Sequence, residues 1–536
     1  MTEQQSPGAG TVTGVGGAGP AQPPGGATEY GLAEFGYRQN LSRGRIHKFS
    51  MFCLSYAFLS LLVGATTLTG FGIAEAGPGF WWTWPAIAIG QFIVSLVFAE
   101  LAAEYPLAGS LYTWARTVTT PLISWLSGWL VILAWTVAIA AVGLTWQLVL
   151  PQIWDGFQFV GNGSDSGDVA KNAFVLGLVM LVGSTIVNVL HVKVATVINT
   201  VAVVLELVVV MALIVLLFAH AKRGPGVVLH SAGTGAAHSG GYFAALLVAA
   251  AAPGFVIFGF DSAGTLAEES ANPRHEAPRA IIRSVVAAGV FGILLVLSVL
   301  VSVNKIDLSA IGNGGLPFII KQQLGEVLGN IFLVAVALAI FAAAVAVQHA
   351  AARLVFAMAR DNYLPGGAAL SRLNPRQSPA EAAIAVGVVA IALVALNLVQ
   401  SQVVAALSAV AIVLAYLAYL CVTVPLLRHR LRGTWPLANS QGRAHFSLGR
   451  AGTVINIIAV VWGAALAFDL AWPWKDIYNA TPPFHWYLRY AAYLFVGLVV
   501  GLGGLWFQLY QRHRTGVVEQ HRADAVPDAG RTDSVR

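Results

Sequence analysis

Two apolar stretches of this sequence are interrupted by residues that weaken a helix and by side chains that can hydrogen-bond. The first, VGATTLTGFGIAEAGP at residues 63–78, holds three glycines and three threonines within nine residues. The second, APGFVIFGFDSAGTLAEES at residues 252–270, holds a proline, three glycines and an aspartate. Broken backbone inside hydrocarbon is tolerated only where it lines a cavity in the protein. The two stretches therefore predict a polar binding site between broken helices.

The free ends of broken helices favour ligands of opposite charge. Thr69 and Gly70 are predicted to open an outward half-helix, whose free N–H groups and positive dipole end favour a carboxylate. Ile257 and Phe258 are predicted to close the outer half of the second stretch and to present free carbonyl groups to an ammonium. A zwitterion of amino-acid size would fit both ends. The alternative is that the glycines only allow neighbouring helices to pack closely.

The elements that carry these stretches are expected to be membrane-spanning helices. The chain has 536 residues, of which 57% are hydrophobic and only 10% are charged, whereas a soluble protein carries roughly 25% charged residues. Because a span needs ~20 mainly apolar residues, the sequence predicts twelve spans. Their approximate limits are 49–76, 82–103, 120–149, 173–191, 194–220, 242–268, 280–303, 327–358, 380–399, 402–427, 452–471 and 486–510.

The predicted fold is an all-α integral membrane domain over residues 41–515. The two interrupted spans occupy matching positions in two five-helix units, at about 49–220 and 242–427. This arrangement is typical of transporters built from an inverted repeat with the binding site at the breaks. Two further helices at about 452–510 complete the domain.

The distribution of lysine and arginine predicts the orientation. If the N-terminus is cytoplasmic, cytoplasmic segments hold 23 of the 30 basic residues, as the positive-inside rule requires. The tails at residues 1–40 and 516–536 are then both cytoplasmic, and the glycine- and proline-rich beginning of the first is expected to be disordered. The seven basic residues on the outer side are Lys171, Lys222, Arg223, Lys305, Lys321, Lys475 and Arg489.

Four stretches of the sequence resemble the amino acid–polyamine–organocation transporter superfamily. GFDSAGTLAEESANPRHEAPRAI at residues 259–281 is similar to its sixth-helix signature. ARLVFAMARDNYLP at 352–365 and LNPRQSP at 373–379 are similar to the end of its eighth helix and the next loop. FAELAAEYPLAGSLYTWAR at 98–116 is similar to the link between its second and third helices, especially in the amino acid/choline transporter branch. The resemblance implies a five-plus-five inverted repeat with broken first and sixth helices, two peripheral helices, and import or exchange of an amino acid or a related amine.

The resemblance also implies which residues meet the substrate. Those expected at the substrate carboxylate are Thr66, Thr67, Thr69 and Gly70, and those expected at its ammonium are Ile257, Phe258 and Gly259. Asp261 lies at the start of the inner half-helix, where its side chain is expected to cap the free N–H groups. Direct contact of Asp261 with the substrate is the alternative.

The coupling ion is predicted from two spans. Glu206 in the fifth span is expected to be protonated, paired or facing water, because an isolated charge at the bilayer centre costs several kcal/mol. Proton-coupled members of the superfamily carry a lysine at the corresponding position, so Glu206 is predicted to couple transport to protons; a structural hydrogen bond is the alternative. A sodium site between the first and eighth helices is not expected, because residues 327–370 contain neither serine nor threonine to supply oxygen ligands.

Charged residues at the inner ends of the spans predict a gate. Glu268 and Glu269 at the cytoplasmic end of the sixth span are expected to pair with Arg116 and Arg353, and ordinary solvated charges are the alternative. Gln348 and His349 interrupt the eighth span, either at the cavity or as packing residues.

The function predicted from these features is secondary active transport of an amino acid or a related amine across the plasma membrane, by proton symport, exchange or facilitated diffusion. Choline, polyamines and 4-aminobutyrate stay open as substrates. A channel or sensor on the same fold is the alternative, but a channel would need a continuous polar or carbonyl-lined pore, and polar breaks are predicted in only two helices. An enzyme would need a nucleophile–base or metal cluster, and the twelve histidines show no ligand-type spacing. No cofactor, metal or nucleic acid is expected; the partners are a small-molecule substrate and the lipid bilayer.

Overall fold

The computed structural model describes residues 48–190, 192–304, 307–399, 403–436, 446–479 and 484–521. Helices joined by turns and loops make up this part of the chain, and no strand occurs in it. The predicted all-α class is confirmed for the described residues. The tail predicted at residues 1–40 and residues 522–536 of the C-terminal tail lie outside them.

Nineteen α-helices follow one another along the described residues. They are α1 Lys48–Leu59, α2 Leu61–Ala76, α3 Thr83–Glu104, α4 Ser110–Val118, α5 Pro121–Ile153, α6 Ser166–Leu190, α7 Val192–Ala219, α8 Gly241–Ala249, α9 Ala251–Val256, α10 Ser262–Thr265, α11 Pro273–Ser302, α12 Leu308–Arg360, α13 Gly367–Leu370, α14 Ala380–Ala395, α15 Val403–Leu431, α16 Gly452–Ala471, α17 Lys475–Tyr478, α18 Trp486–Arg489 and α19 Ala491–Trp506. Helix α12 is bent where Gly315 and Gly325 take non-helical conformations.

Ten helical segments of the described residues are long and apolar enough to cross a membrane. An eleventh is present if Pro225–Ala236 and Gly241–Val256, which meet at 110°, form one broken span. The segment Lys48–Glu104 has 57 residues. A straight helix of that size would be ~85 Å long, against a hydrocarbon thickness of about 30 Å, so it has room for the first two predicted spans. The total of twelve spans stays a prediction.

The first span is broken at Ser60, and the break predicted at Thr69 and Gly70 is wrong in position. Ser60 has φ 18° and ψ 95° and separates α1 from α2, which continues through all the threonines of the stretch. The hydroxyl of Thr67 donates to the carbonyl of Val63 within the same helix at 2.6 Å, so it needs no broken backbone.

The glycines of the first stretch serve close packing, as the alternative interpretation held. A Cβ atom on Gly64 would lie 2.1 Å from Cγ2 of Val256, and one on Gly70 would lie 2.6 Å from the carbonyl oxygen of Ile311. Their lack of a side chain lets α2 touch α9 and α12.

The sixth span is broken where the sequence predicts. Helix α9 ends at Val256, Ile257 takes a non-helical conformation, and α10 begins at Ser262. Gly259, between the two helices, has φ +76°. That left-handed conformation is accessible to glycine at little cost and is strained for other residues.

Helix pairings follow the pattern that a five-plus-five repeat predicts. Helix α5, the third predicted span, packs on α15, the tenth, and α12, the eighth, packs on α7, the fifth. The second and seventh spans, α3 and α11, pack on each other. These contacts agree with two equivalent halves, while the inverted repeat itself stays a prediction.

Replacing Gly259 by alanine is expected to destabilise the protein by at least about 2 kcal/mol, because the left-handed backbone becomes strained and the bundle overpacked. The added Cβ would lie 1.9 Å from a ring carbon of Phe58. The matched control is Gly254→Ala in the same span, where the nearest atoms lie 3.9 Å from the added Cβ; it should leave stability unchanged or raise it by up to about 1 kcal/mol. Thermal unfolding in detergent measures both. Equal unfolding midpoints for the two variants would contradict the assignment of the break.

Candidate substrate site and gate

A small cavity lies between the two breaks. The first span contributes Phe58, Leu59, Ser60, Val63 and Gly64, and the sixth contributes Phe255 and Phe258. The remaining lining residues are Ala138, Val142, Ala343 and Val347 of helices α5 and α12. Its volume is about 20 Å³, close to what one water molecule needs. The two breaks therefore close around less space than an amino acid occupies.

Aromatic rings fill most of the space between the breaks. The ring of Phe58 meets that of Phe258 edge-on, with centroids 5.8 Å apart, and that of Trp135 at 5.1 Å. The ring of Phe255 lies 5.7 Å from that of Phe258. Apart from Ser60, the side chains that line the cavity are apolar. Its polar character must come from Ser60 and from the broken backbone.

The carboxylate of Glu206 completes the backbone of the first break. Glu206 lies buried in α7, and its Oε1 accepts hydrogen bonds from Oγ of Ser60 at 3.0 Å and from the N–H of Leu62 at 3.1 Å. Leu62 belongs to the first turn of α2, whose N–H groups have no partner within their own helix. A carboxylate at this end also interacts favourably with the helix dipole. The carboxyl group of Glu206 thus occupies a helix N-terminus of the same chain.

The predicted side-chain cap by Asp261 is wrong. Asp261 precedes α10 but makes no side-chain hydrogen bond to its first turn. Its carboxylate instead accepts from Oγ of Ser110 and from the hydroxyl of Tyr419, each at 3.0 Å. The hydroxyl of Tyr419 also accepts the N–H of Gly259 at 2.9 Å. The break in the sixth span is therefore completed from α15 through a tyrosine.

The threonines and Gly70 predicted at the substrate carboxylate lie beyond the break. Thr69 is eight residues into α2 from Leu61, or about 12 Å along the helix axis. The residues Thr66, Thr67 and Gly70 line a second cavity of about 200 Å³ together with Leu68, Phe71, Leu148, Gly312, Gly314, Gly315 and Ala405. The hydroxyls of Thr66 and Thr69 are buried and have no hydrogen-bond partner among the described residues. None of these four residues lines the small cavity between the breaks.

Two buried ion pairs join the C-terminal end of the sixth span to the eighth. Glu268 accepts from both terminal nitrogens of Arg360, at 3.0 and 3.1 Å. Glu269 accepts from Nε of Arg353 at 2.5 Å. The two arginines are seven residues apart, or about two helical turns, so they lie on one face of α12. The N–H of Ala108 also donates to Glu268 at 3.0 Å. We call these two pairs the inner gate, after the role that the sequence predicts for this end of the sixth span.

A third pair lies beside the inner gate. Arg116 pairs with Asp361, and the hydroxyl of Tyr112 donates to the same carboxylate at 2.7 Å. The expected pairing of Glu269 with Arg353 is confirmed, whereas the partners that the structure gives for Glu268 and Arg116 are Arg360 and Asp361. Sequence reasoning missed both, although ARLVFAMARD carries two arginines at a spacing that places them on one helix face.

Gln348 and His349 face α6 and α14. The side-chain amide of Gln348 accepts from Ser184 at 2.6 Å and donates to Oγ1 of Thr185 at 2.8 Å and to the carbonyl of Ala383 at 3.0 Å. Nδ1 of His349 lies 3.0 Å from Oδ1 of Asn188. Helix α12, which carries both residues, lines the small cavity between the breaks with Ala343 and Val347 instead. These contacts support the packing interpretation of Gln348 and His349.

Comparisons with known proteins agree with this architecture. A sequence model of the amino acid permease family matches residues 48–499. The amino-acid permease BAT1 of Arabidopsis thaliana is 25% identical over 476 residues, which cover 82% of this chain and 88% of the relative. The branched-chain amino acid permease BcaP is 30% identical over 354 residues in Lactococcus lactis, covering 62% of this chain and 73% of the relative. BcaP of Bacillus subtilis is 28% identical over 333 residues, covering 58% and 66%. The matched segment contains both broken spans and the inner gate, and the chain belongs to the amino acid permease family of membrane transporters.

Proposed function

We propose that this protein is a secondary active transporter of the plasma membrane that carries an amino acid with an apolar side chain and couples its movement to protons. The observation that carries the proposal is the carboxylate of Glu206 on the N-terminal turn of α2, at the edge of a cavity between two helix breaks. A substrate carboxylate would otherwise bind to the free N–H groups of that turn.

The lining of the cavity supports an apolar substrate side chain. Val142, Ala343, Val347 and Phe255 surround the space between the breaks and offer no hydrogen-bonding side-chain group. Such a pocket binds aliphatic groups and leaves additional polar groups unpaired. Carbonyl groups at the end of α9 are available to the substrate ammonium. The relatives named branched-chain amino acid permeases agree with this substrate class.

Competition for one helix end explains the proposed coupling. An ionised Glu206 and a substrate carboxylate would both seek the N–H groups at the start of α2, and two anions there repel each other. Protonation removes the charge of Glu206, so the substrate carboxylate can take its place. Proton and substrate then bind with positive cooperativity, which is the thermodynamic requirement for symport.

The occupied helix end also favours a second candidate substrate. Because Glu206 already supplies the anion at α2, a cationic amine without a carboxylate, such as choline or a polyamine, could bind while Glu206 stays ionised. Transport of such an amine would persist without a proton gradient and would depend on the negative charge of Glu206.

Alternating access supplies the transport cycle. With the N-terminus in the cytoplasm, the inner gate closes the cytoplasmic side, because Glu268 and Glu269 follow the inner half of the broken sixth span. Opening requires the inner halves of the first and sixth spans to move away from α12, as in other transporters with broken helices.

Glu206→Gln is expected to abolish stimulation of uptake by an inward proton gradient, which should be at least about fivefold in the wild type, while substrate exchange persists. The measurement is uptake and counterflow in proteoliposomes with an apolar amino acid and with choline. Glu326→Gln is the matched control, since that side chain is 76% exposed. Unchanged proton dependence in Glu206→Gln contradicts the coupling role, and loss of choline transport alone favours the second candidate.

Val347→Ala is expected to shift the preference towards larger apolar side chains by about tenfold, because the two methyl groups of the valine leave the pocket wall. Competition of leucine, valine and phenylalanine for counterflow measures this change. Val388→Ala, at a side chain that is 60% exposed on the outside of the bundle, should leave the preference as it is. An unaltered ranking in Val347→Ala would count against the pocket.

Arg360→Leu is expected to destabilise the closed inner gate by about 3–5 kcal/mol, the usual cost of removing one partner of a buried ion pair. The unfolding midpoint and uptake should both fall. Exchanging the charges in Glu268→Arg with Arg360→Glu should recover part of both. Arg116→Leu, whose side chain is 34% exposed, should cost less. A larger loss in Arg116→Leu than in Arg360→Leu would contradict this assignment of the gate.

A further inference from the structure

A cluster of one histidine and two carboxylates lies at the opposite end of α2 from Glu206. Glu75 is the second-last residue of α2, His238 follows the short 3-10 helix Thr234–Ala237, and Asp476 lies in α17. The three segments are far apart in the sequence, and the amino acid permease function described above makes no use of their side chains. We call these three residues the outer cluster.

The imidazole of His238 lies between the two carboxylates. Its Nε2 is 3.3 Å from Oε2 of Glu75, and its Nδ1 is 3.6 Å from Oδ2 of Asp476. The His238 side chain is only 6% exposed, whereas that of Asp476 is 38% exposed and can adjust. One ring nitrogen and one oxygen from each carboxylate all lie within 4.8 Å of one another. The donor set is therefore convergent and reachable from solvent.

The chemistry of this arrangement calls for a cation. A neutral imidazole has one N–H donor and one lone pair, so it can donate to only one of the two carboxylates. The other carboxylate then faces a lone pair in a partly buried place. A metal ion at the lone-pair side removes this conflict, and a carboxylate that accepts the remaining N–H orients the ring, as in many histidine–metal sites.

The distances suit a zinc-class ion. Ligands of tetrahedral Zn²⁺ with bonds of about 2.1 Å lie roughly 3.4 Å apart, and Glu75 and His238 already have this separation. Imidazole with carboxylates favours Zn²⁺, whereas Ca²⁺ and Mg²⁺ prefer sites made only of oxygens. We propose that Glu75 and Nε2 of His238 bind a divalent zinc-class ion, that Asp476 accepts the N–H of Nδ1 and orients the ring, and that water completes the coordination.

Ion binding at the outer cluster would restrain the outer halves of both broken spans. Glu75 belongs to α2, and His238 lies three residues before α8. The hydroxyl of Tyr242 at the start of α8 donates to the carbonyl of Ala76 at 3.0 Å, so the end of α2 and the start of α8 are already in contact. A bound ion would add a link from both to α17. Inhibition of transport by zinc on the outer side follows, and this consequence alone rests on the proposed function.

The test measures binding before transport. Purified full-length protein in detergent is titrated with ZnCl₂ in a buffer without chelators, and the thermal unfolding midpoint is followed. We expect a saturable rise that EDTA reverses and that MgCl₂ does not reproduce. His238→Ala should raise the half-saturating zinc concentration at least about tenfold, and Asp476→Asn should raise it in the same direction. His230→Ala, a change at an exposed histidine in the same loop, should leave it unchanged.

The outcomes separate the metal site from the transport proposal. No zinc-dependent rise in the wild type, an equal rise in His238→Ala, or an equal rise with MgCl₂ overturns the site. A midpoint that responds to pH but not to zinc also overturns it, because an imidazolium between two carboxylates would then explain the cluster. Counterflow with zinc added outside tests inhibition separately. Binding without inhibition supports the site and removes only its effect on the transport cycle.

Discussion

Every broken helix within an apolar bundle must find partners for the N–H and C=O groups that it leaves free. In this protein the requirement is met at both breaks by a polar side chain from a distant span. Glu206 on α7 accepts the N–H of Leu62 at the first break. Tyr419 on α15 accepts the N–H of Gly259 at the second. Because the partners are side chains, each can be withdrawn from its break without unfolding a helix.

The two completing side chains occupy corresponding places in the chain. Helix α7 is the fifth predicted span of the first five-helix unit, and α15 is the fifth of the second unit. Glu206 reaches the broken first span, and Tyr419 reaches the broken sixth span, which is the first span of the second unit. The two differ in chemistry, since Glu206 carries an ionisable group directly at its break whereas Tyr419 passes its hydrogen bond on to Asp261. The first break is thus in direct contact with an ionisable group, whereas the second reaches Asp261 and Ser110 only through a chain of hydrogen bonds.

The sequence predicted more about the second break than about the first. Gly259 marks the second break because its positive φ suits no other residue as well, and in the sequence this position stands out as a glycine two residues before Asp261. Ser60 lies in the apolar run YAFLSLLV, where a single serine gives no sign of a helix end. The glycines nearby were misleading because small residues also occur where helices touch, as Gly64 does against Val256. Tertiary contacts decide between these two uses of glycine, and they cannot be seen in one sequence.

Charged residues were predicted more reliably than their partners. A carboxylate or guanidinium in an apolar segment must be paired or solvated, so Glu206, Glu269 and Arg353 stood out from the sequence. Which groups pair depends on how α12 faces the sixth span, and so Arg360 was not foreseen.

Helix α2 carries carboxylate contacts at both of its ends. It has 16 residues, or about 24 Å of continuous helix, and no glycine within it takes a positive φ. Such a segment moves as one body, so a displacement that frees its start from Glu206 also displaces Glu75 at its other end. A ligand or proton that binds one end of α2 more tightly in one position of the helix than in another therefore changes the free energy of the contacts at the other end. By linkage the effect is reciprocal. Protonation of Glu206 and occupancy of the outer cluster would act on the same equilibrium, even though the two sites share no atom.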